Sequence, residues 1–374
     1  MGTVQCVDVA SRGERGYRIT DGMKISVVQG EDIDAGHIGS WRRVQAENPL
    51  LASPFFAPEF TQAVADVRDD VRVAVLEDHG SVAFFPHQRN GVHGRPVGGP
   101  LSDYQGIIAR DDAWIDPKAL LRACKLHVFE YDHLLAAQRA FVPGHRHYGP
   151  SYVISLESGY DAFFQAKKAA HVMEIRTAGR HQRAMENELG PLRFVPHSTD
   201  PAIVEQLLRW KRQQYRDTQV ADVFAVPWSR RLLYRIIESQ APSFSGMLSA
   251  LYAGDTLVAA HLGMRTPSVW HYWILAYDHA HGRYSPGTLL LLEMLRHADS
   301  VGIAQFDLGK GYAPYKEKLH TGTIPLAEGF CERPSLTGAL HHARMRAKEW
   351  IRQSSLHPVA RTLARRLEKR LNHG

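Results

Sequence analysis

The chain has 374 residues, 44% hydrophobic and 22% charged, with a formal net charge of +6. This length predicts two domains with ample core, and the lack of any apolar run of about 18 residues excludes a membrane-spanning helix. Its three cysteines, Cys6, Cys124 and Cys331, are far apart and form no C-x-x-C pair, which excludes a disulfide framework and a cysteine-rich zinc site.

Residues 1–22 are polar throughout, lack the apolar core of a signal peptide and read as a flexible N-terminus, so a cytoplasmic protein is expected. A first domain is expected over 23–150. It opens with a strand at Lys24–Val28 and a helix around Ile38–Glu47. The aromatic turn Ser53-Pro-Phe-Phe-Ala-Pro58 then places Pro58 to start a helix through Val67. Strands at 71–77 and 82–88 follow, then the Gly/Pro-rich segment 95–106, a short strand at Ile107–Ala109, a helix from Pro117 to Leu126, and Val128-Phe-Glu-Tyr-Asp132.

The second domain is expected over 151–335. A helical segment, 160–189, carries Lys167, Lys168, Arg176, Arg180 and Arg183 and ends at Gly190-Pro191. The basic face suits solvent or a phosphate-bearing acceptor. A helix over 203–216 carries Trp210, Lys211 and Tyr215. Leu248–Tyr252 and Thr256–Met264 read as a hairpin around Gly254-Asp255, followed by the strand Ser268–Tyr277. The loop His281-Gly-Arg-Tyr-Ser-Pro-Gly-Thr288 feeds the helix 289–298, then a strand at Ala304–Leu308 and the run Gly309-Lys-Gly-Tyr-Ala-Pro-Tyr-Lys316. A strand, a turn and a helix N-terminus together make an anion site. The order hairpin, helix, strand occurs in both halves, which suggests one α/β unit used twice.

The last segment, 336–374, is a basic helical tail with Val359, Leu363, Leu367 and Leu371 on one stripe. From His341 onward it has nine Lys/Arg against two Glu. Such a helix suits an anionic membrane surface, or docking on its own domain or a partner. The rest of the chain is near neutral, so DNA is not an expected partner.

Arg176-x3-Arg180-x2-Arg183, the hairpin, the Trp/Tyr strand, the Ser-Pro-Gly loop and Phe306-Asp-Leu-Gly-Lys-Gly-x3-Tyr-Lys316 together resemble the CelD-like branch of the GNAT acetyltransferases. That branch is named for polysaccharide biosynthesis and is related to FemAB-type transferases. The resemblance implies a mixed α/β, tandem GNAT-like fold and an acyltransferase using acetyl-CoA or another acyl-CoA. Its acceptor would be a small molecule, a sugar or a glycan of the cell envelope. FemAB-like aminoacyl transfer from charged tRNA and a non-catalytic subunit of a polysaccharide synthase are the alternatives.

Carried onto this chain, the resemblance lays the pantetheine arm along Trp273, Ile274, Leu275 and Ala276. It puts the pyrophosphate at Arg283, Ser285, Gly287 and Thr288, although Pro286 stands where a glycine N–H is usual. For proton handling the candidates are Asp307, His261 and Tyr315. Asp307 ends an apolar strand, where α/β sheets place working groups, and could equally cap the turn after it. His261 is a lone histidine in an apolar strand, either a base or a core residue. Lys310, Tyr312, Lys316 and Tyr272 are candidates for binding the acceptor, with Trp270, His271 and Trp273 lining the same strand. His145-x-His147 has no further ligands at suitable spacing, so no metal is expected.

Overall fold

Two hairpins found the two halves of the fold. Val71–Asp78 pairs antiparallel with Ser81–Asn90, and Phe244–Ala253 with Thr256–Arg265. The second turns at Gly254, whose φ of 55° is one that glycine adopts without strain. Each hairpin leads to a third strand, a helix, and a fourth strand parallel to the third. In the first half these are His93–Arg95, Pro117–Ala123 and Val128–Leu135; in the second, Val269–Tyr277, Pro286–Ser300 and Gln305–Lys310. The fold is therefore the mixed α/β repeat expected from the sequence. The structure, a computed structural model, describes residues 18–19 and 23–334 apart from 79 and 112. The basic tail of 336–374 and nearly all of the N-terminal segment 1–22 lie outside the described residues.

Both halves share one 13-stranded sheet among the described residues. Two strands join them. His145–Ser155 pairs on one edge with Gln305–Lys310 and on the other with Gly322–Glu332, which in turn pairs with Val128–Leu135. The strand Gly322–Glu332 thus lies against the first half's own strand, and position 150 falls inside His145–Ser155. The contact is close because it is made of glycines. A Cβ on Gly144 would come within 2.2 Å of the Phe330 carbonyl oxygen, and one on Gly329 within 2.2 Å of the Gly144 oxygen.

Helices cover both faces of the second half. Pro201–Asp217, with Asp200 capping its first turn, and Pro227–Glu238 bury Leu207, Leu208, Leu232, Leu233 and Ile236 in a core that also holds Trp41, Phe56 and Phe84 of the first half. On the opposite face, Pro286–Ser300 buries Leu290, Leu291, Met294 and Leu295. No helix among the described residues is long and apolar enough to cross a membrane.

Local structure departs from expectation in several places, among them the helix Pro227–Glu238 and the strand Gly322–Glu332, which the sequence reading did not include. The helix expected over 160–189 is two, Gly159–Ala169 and Met173–Leu189, broken where His171 takes a left-handed φ of 56°. The strand expected at Ile107–Ala109 is a single bridge from Ile108 to Phe84. His145–Ser155 was not expected as a strand because Arg146, His147 and Pro150 hide its alternation; Pro150 is tolerated where it faces Pro325 across the ladder.

Gly144→Ala is expected to destabilise the protein by about 1–3 kcal/mol, because the methyl group overpacks a backbone contact. Urea unfolding followed by circular dichroism measures it, and an unchanged midpoint would show that this seam is loosely packed.

Candidate active site

The site begins where two parallel strands part. Val269–Tyr277 and Gln305–Lys310 pair only at Val269↔Gln305, Trp270↔Phe306 and His271↔Asp307. Beyond that rung Gln305–Lys310 shifts register against His145–Ser155 between Asp307 and Gly309, and Gly309 takes a φ of 76°. Val269–Tyr277 meanwhile stays on Thr256–Arg265, with a bulge that sets Gly263 opposite both Tyr272 and Trp273. Only glycine fits at 263, since a Cβ there would lie 2.2 Å from the His271 oxygen. A wedge opens between the strands.

At the closed end of the wedge lies a buried polar network drawn from both halves. His271 Nε2 is 2.9 Å from Asp103 Oδ2, and His271 Nδ1 faces Asp307 Oδ1 at 3.7 Å. Asp307 also accepts from Tyr104 Oη at 2.5 Å, Ser151 Oγ at 3.0 Å and the Gly309 N–H at 2.8 Å. His271 and Asp307 have no exposed side-chain surface, while the Asp103 side chain is 24% exposed. On its outer side Asp103 Oδ1 lies 4.0 Å from His133 Nε2, and His133 Nδ1 is 2.9 Å from Asp132 Oδ1.

The charges follow from the geometry. Burial pulls the His271 pKa down, but Asp307 and Asp103 outweigh it and raise it to about 9, so the imidazole is cationic at neutral pH. Burial raises the Asp307 carboxyl, yet His271, Tyr104 and the Gly309 N–H together hold it below the usual range. Burial, reinforced by Asp307, pushes the Tyr104 phenol up, so it stays a donor. The result is an imidazolium clamped between two carboxylates, of which Asp103 is the one that meets solvent.

Of the other residues expected at the site, His261 is fully buried. Its Nε2 accepts from the Trp273 N–H at 3.2 Å, its ring stacks on Tyr272 at 4.6 Å, and burial drives its pKa well below the ordinary value. Tyr272 is buried in the core that also holds Trp270 and Phe306. Tyr315 packs against that core, and its phenol is pushed up by burial. Lys316 Nζ donates to the oxygens of Gly309 at 3.2 Å and Lys310 at 3.1 Å. Lys310 Nζ donates to the Asp132 oxygen, and Tyr312 is exposed. Ile274 and Ala276 turn into the core shared by both halves, with Trp273 partly buried against Phe55.

The wedge fits an extended amide-bearing arm. The Asp278 N–H bonds Val258 O, and Ala276 and Ile274 face Ala260 and Leu262. By ladder alternation the amides of Leu275 and Tyr277 turn to the opposite edge, toward the wedge. The loop fits a pyrophosphate less well. Pro286 has no N–H, and the N–H groups of Thr288 and Leu289 both return to Ser285 O. Ser285 sits left-handed at φ 53° and makes no side-chain cap. Arg283 is clasped by Glu188, which also accepts from Tyr284 Oη. Gly287 keeps the one amide of the first turn free for an anion.

Asp103, Tyr104, Ser151 and His133 escaped the sequence reading, Lys211 entered it only as a residue of the helix over 203–216, and His271 only as a lining residue. The one local signal was the Asp103-Tyr104 pair, polar and aromatic, inside a Gly/Pro-rich loop.

A double α/β repeat with a wedge between its central parallel strands is the GNAT fold, and the chain is an acyltransferase. Residues 174–317 match the family model of an acetyltransferase (GNAT) domain. FemX superposes with a TM-score of 0.53 at 9% identity, covering 82% of this chain and 96% of FemX. A conserved protein of unknown function from Bacteroides thetaiotaomicron VPI-5482 gives 0.50 at 15% identity, over 81% and 98% of the two chains. A tandem GNAT protein from the clavulanic acid biosynthesis pathway gives 0.46 at 11%, over 84% and 99%. No curated protein sequence matches the chain.

Because the folded pKa of His271 is raised from 6.5 to about 9, its stabilising contribution is complete below 6.5 and lost as pH rises through about 9. Stability is expected to fall across that window with a slope of up to about 1.4 kcal/mol per pH unit. Asp103→Asn should flatten the slope. Urea unfolding at a series of pH values reads it; no slope in the unaltered protein would mean that His271 is neutral, and identical slopes for the two proteins that Asp103 does not hold its charge.

Proposed function

We propose that the protein transfers an acyl group, acetyl in the simplest case, from acyl-CoA to an amine or hydroxyl of a sugar, polysaccharide or cell-envelope precursor. The observation that carries the reading is the Asp103–His271–Asp307 cluster at the point where the strands part. Asp103 is the carboxylate that reaches solvent, and it serves as general base for the acceptor. His271 fixes its orientation, and Asp307 acts behind His271 as a positioning residue. Bound acyl-CoA supplies the activated thioester. The chain's part toward it is the Leu275–Tyr277 edge, which pairs with an amide-bearing arm. Tyr315, kept protonated by burial, holds the proton for the leaving group. The acceptor class rests on the resemblance to CelD-like proteins. In the same reading the basic tail meets an anionic membrane surface.

A second reading, FemAB-like aminoacyl transfer from charged tRNA, is favoured by the loop. Glu188 occupies Arg283, and Pro286 removes an amide that a pyrophosphate would use.

Calorimetric titration with acetyl-CoA tests the first reading; no binding at millimolar cofactor, together with binding of charged tRNA, would select the second. Glu188→Ala is expected to tighten acyl-CoA binding by freeing Arg283, and a weaker complex would count against a pyrophosphate at this loop. Asp103→Asn is expected to lower kcat by about 10²–10⁴ with KM little changed. A change in KM alone would make Asp103 a binding residue.

A further inference from the structure

An acyl donor or acceptor that carries a negative group needs a cationic seat, and the helix N-terminus at Pro286 does not supply it. The positive charge lies inside the wedge instead. Lys211, from the helix Pro201–Asp217, donates from Nζ to the Leu275 oxygen at 3.3 Å, on one lip. Lys316 donates to the oxygens of Gly309 and Lys310 at 3.2 and 3.1 Å, on the other. Leu275 and Gly309 belong to the two strands that separate after the His271–Asp307 rung.

Both ammonium groups are only partly exposed, and neither has a carboxylate within ion-pair distance among the described residues. An ammonium has three donors. With one hydrogen bond at Lys211 and two at Lys316, three N–H groups are left without a protein acceptor among the described residues. Burying like charges together is unfavourable unless something anionic joins them. Burial first, and then Lys316, pull the Lys211 pKa down to about 8. Burial likewise lowers Lys316, against the opposing pull of Asp103 and Asp307. The Tyr215 ring lies 5.5 Å from Lys211 Nζ.

We infer that Lys211 and Lys316 form an anion subsite across the mouth of the wedge, built for one compact oxyanion group, a phosphate or carboxylate, on the substrate. The inference deepens the acyltransferase reading by assigning its substrate an anionic group beside the reacting atoms.

The test is binding and not turnover, so it fails independently of the acyltransferase reading. Lysines of the full-length protein are labelled with trinitrobenzenesulfonate, with and without millimolar inorganic phosphate or acetate, and mapped by mass spectrometry. Lys211 and Lys316 are expected to label several-fold more slowly with the anion present, while Lys318, bonded to Glu174 on the same helix as Lys316, is unchanged. Protection by phosphate alone identifies a phosphoester group, and protection by acetate as well identifies a carboxylate. Equal protection of Lys318, or none at Lys211, overturns the subsite. Lys211→Met and Lys316→Met should each weaken phosphate binding by about tenfold or more, as loss of a charged hydrogen-bond donor does. Should either variant misfold, the labelling of the unaltered protein still decides.

Discussion

Parallel pairing between Val269–Tyr277 and Gln305–Lys310 ends at the His271–Asp307 rung, and the site takes its form from that ending. Past it, one strand follows its hairpin partner and the other bends away at Gly309. Backbone groups that a continuous sheet would satisfy internally are left facing a cleft. Some of them are met by the ammonium groups of Lys211 and Lys316, and others lie open to a ligand. The bulge at Tyr272–Trp273 and the glycine at 263 are needed for the same reason: a strand that must diverge on one edge while staying paired on the other cannot keep a uniform pleat.

The rung also sets the electrostatics. His271 and Asp307 are both fully buried, a placement that would disfavour either charge alone. They are stable as ions because each supports the other, with Asp103 completing the clamp from the first half and Tyr104 and Ser151 satisfying the remaining acceptor sites of Asp307. A neighbouring buried histidine, His261, faces no carboxylate among the described residues and is driven neutral by the same burial. Two histidines on adjacent strands therefore carry opposite protonation states. Partners, rather than depth, decide the difference.

The network is also what makes the two halves a single functional unit. Asp103, Tyr104, Asp132 and His133 come from the first half, Lys211, His271, Asp307 and Lys316 from the second, and Ser151 from the strand that joins them. Neither repeat holds a complete site. The glycine seam at Gly144 and Gly329 brings Gly322–Glu332 against the first half's Val128–Leu135, fixing the two repeats at the distance that the Asp103–His271 contact requires.

Local pattern was sufficient for the two hairpins, the two crossovers, the repeat and the loop before Pro286, because turn glycines, helix-starting prolines and apolar runs act over a few residues. It also singled out Asp307 and Lys316 as candidates, both embedded in one recognisable run. It could not tell His261 from His271, since both sit in apolar strands and differ only in what faces them from 168 residues away in the chain, as Asp103 faces His271. The break at His171 and the strand His145–Ser155 were hidden for a related reason: tertiary pairing overrides weak local preference. Amino-acid order by itself determined the elements of the two repeats, their order and the acyltransferase class of fold. The tertiary structure alone decided which polar residues meet, because burial and opposing charge are properties of the assembled sheet and of no segment within it.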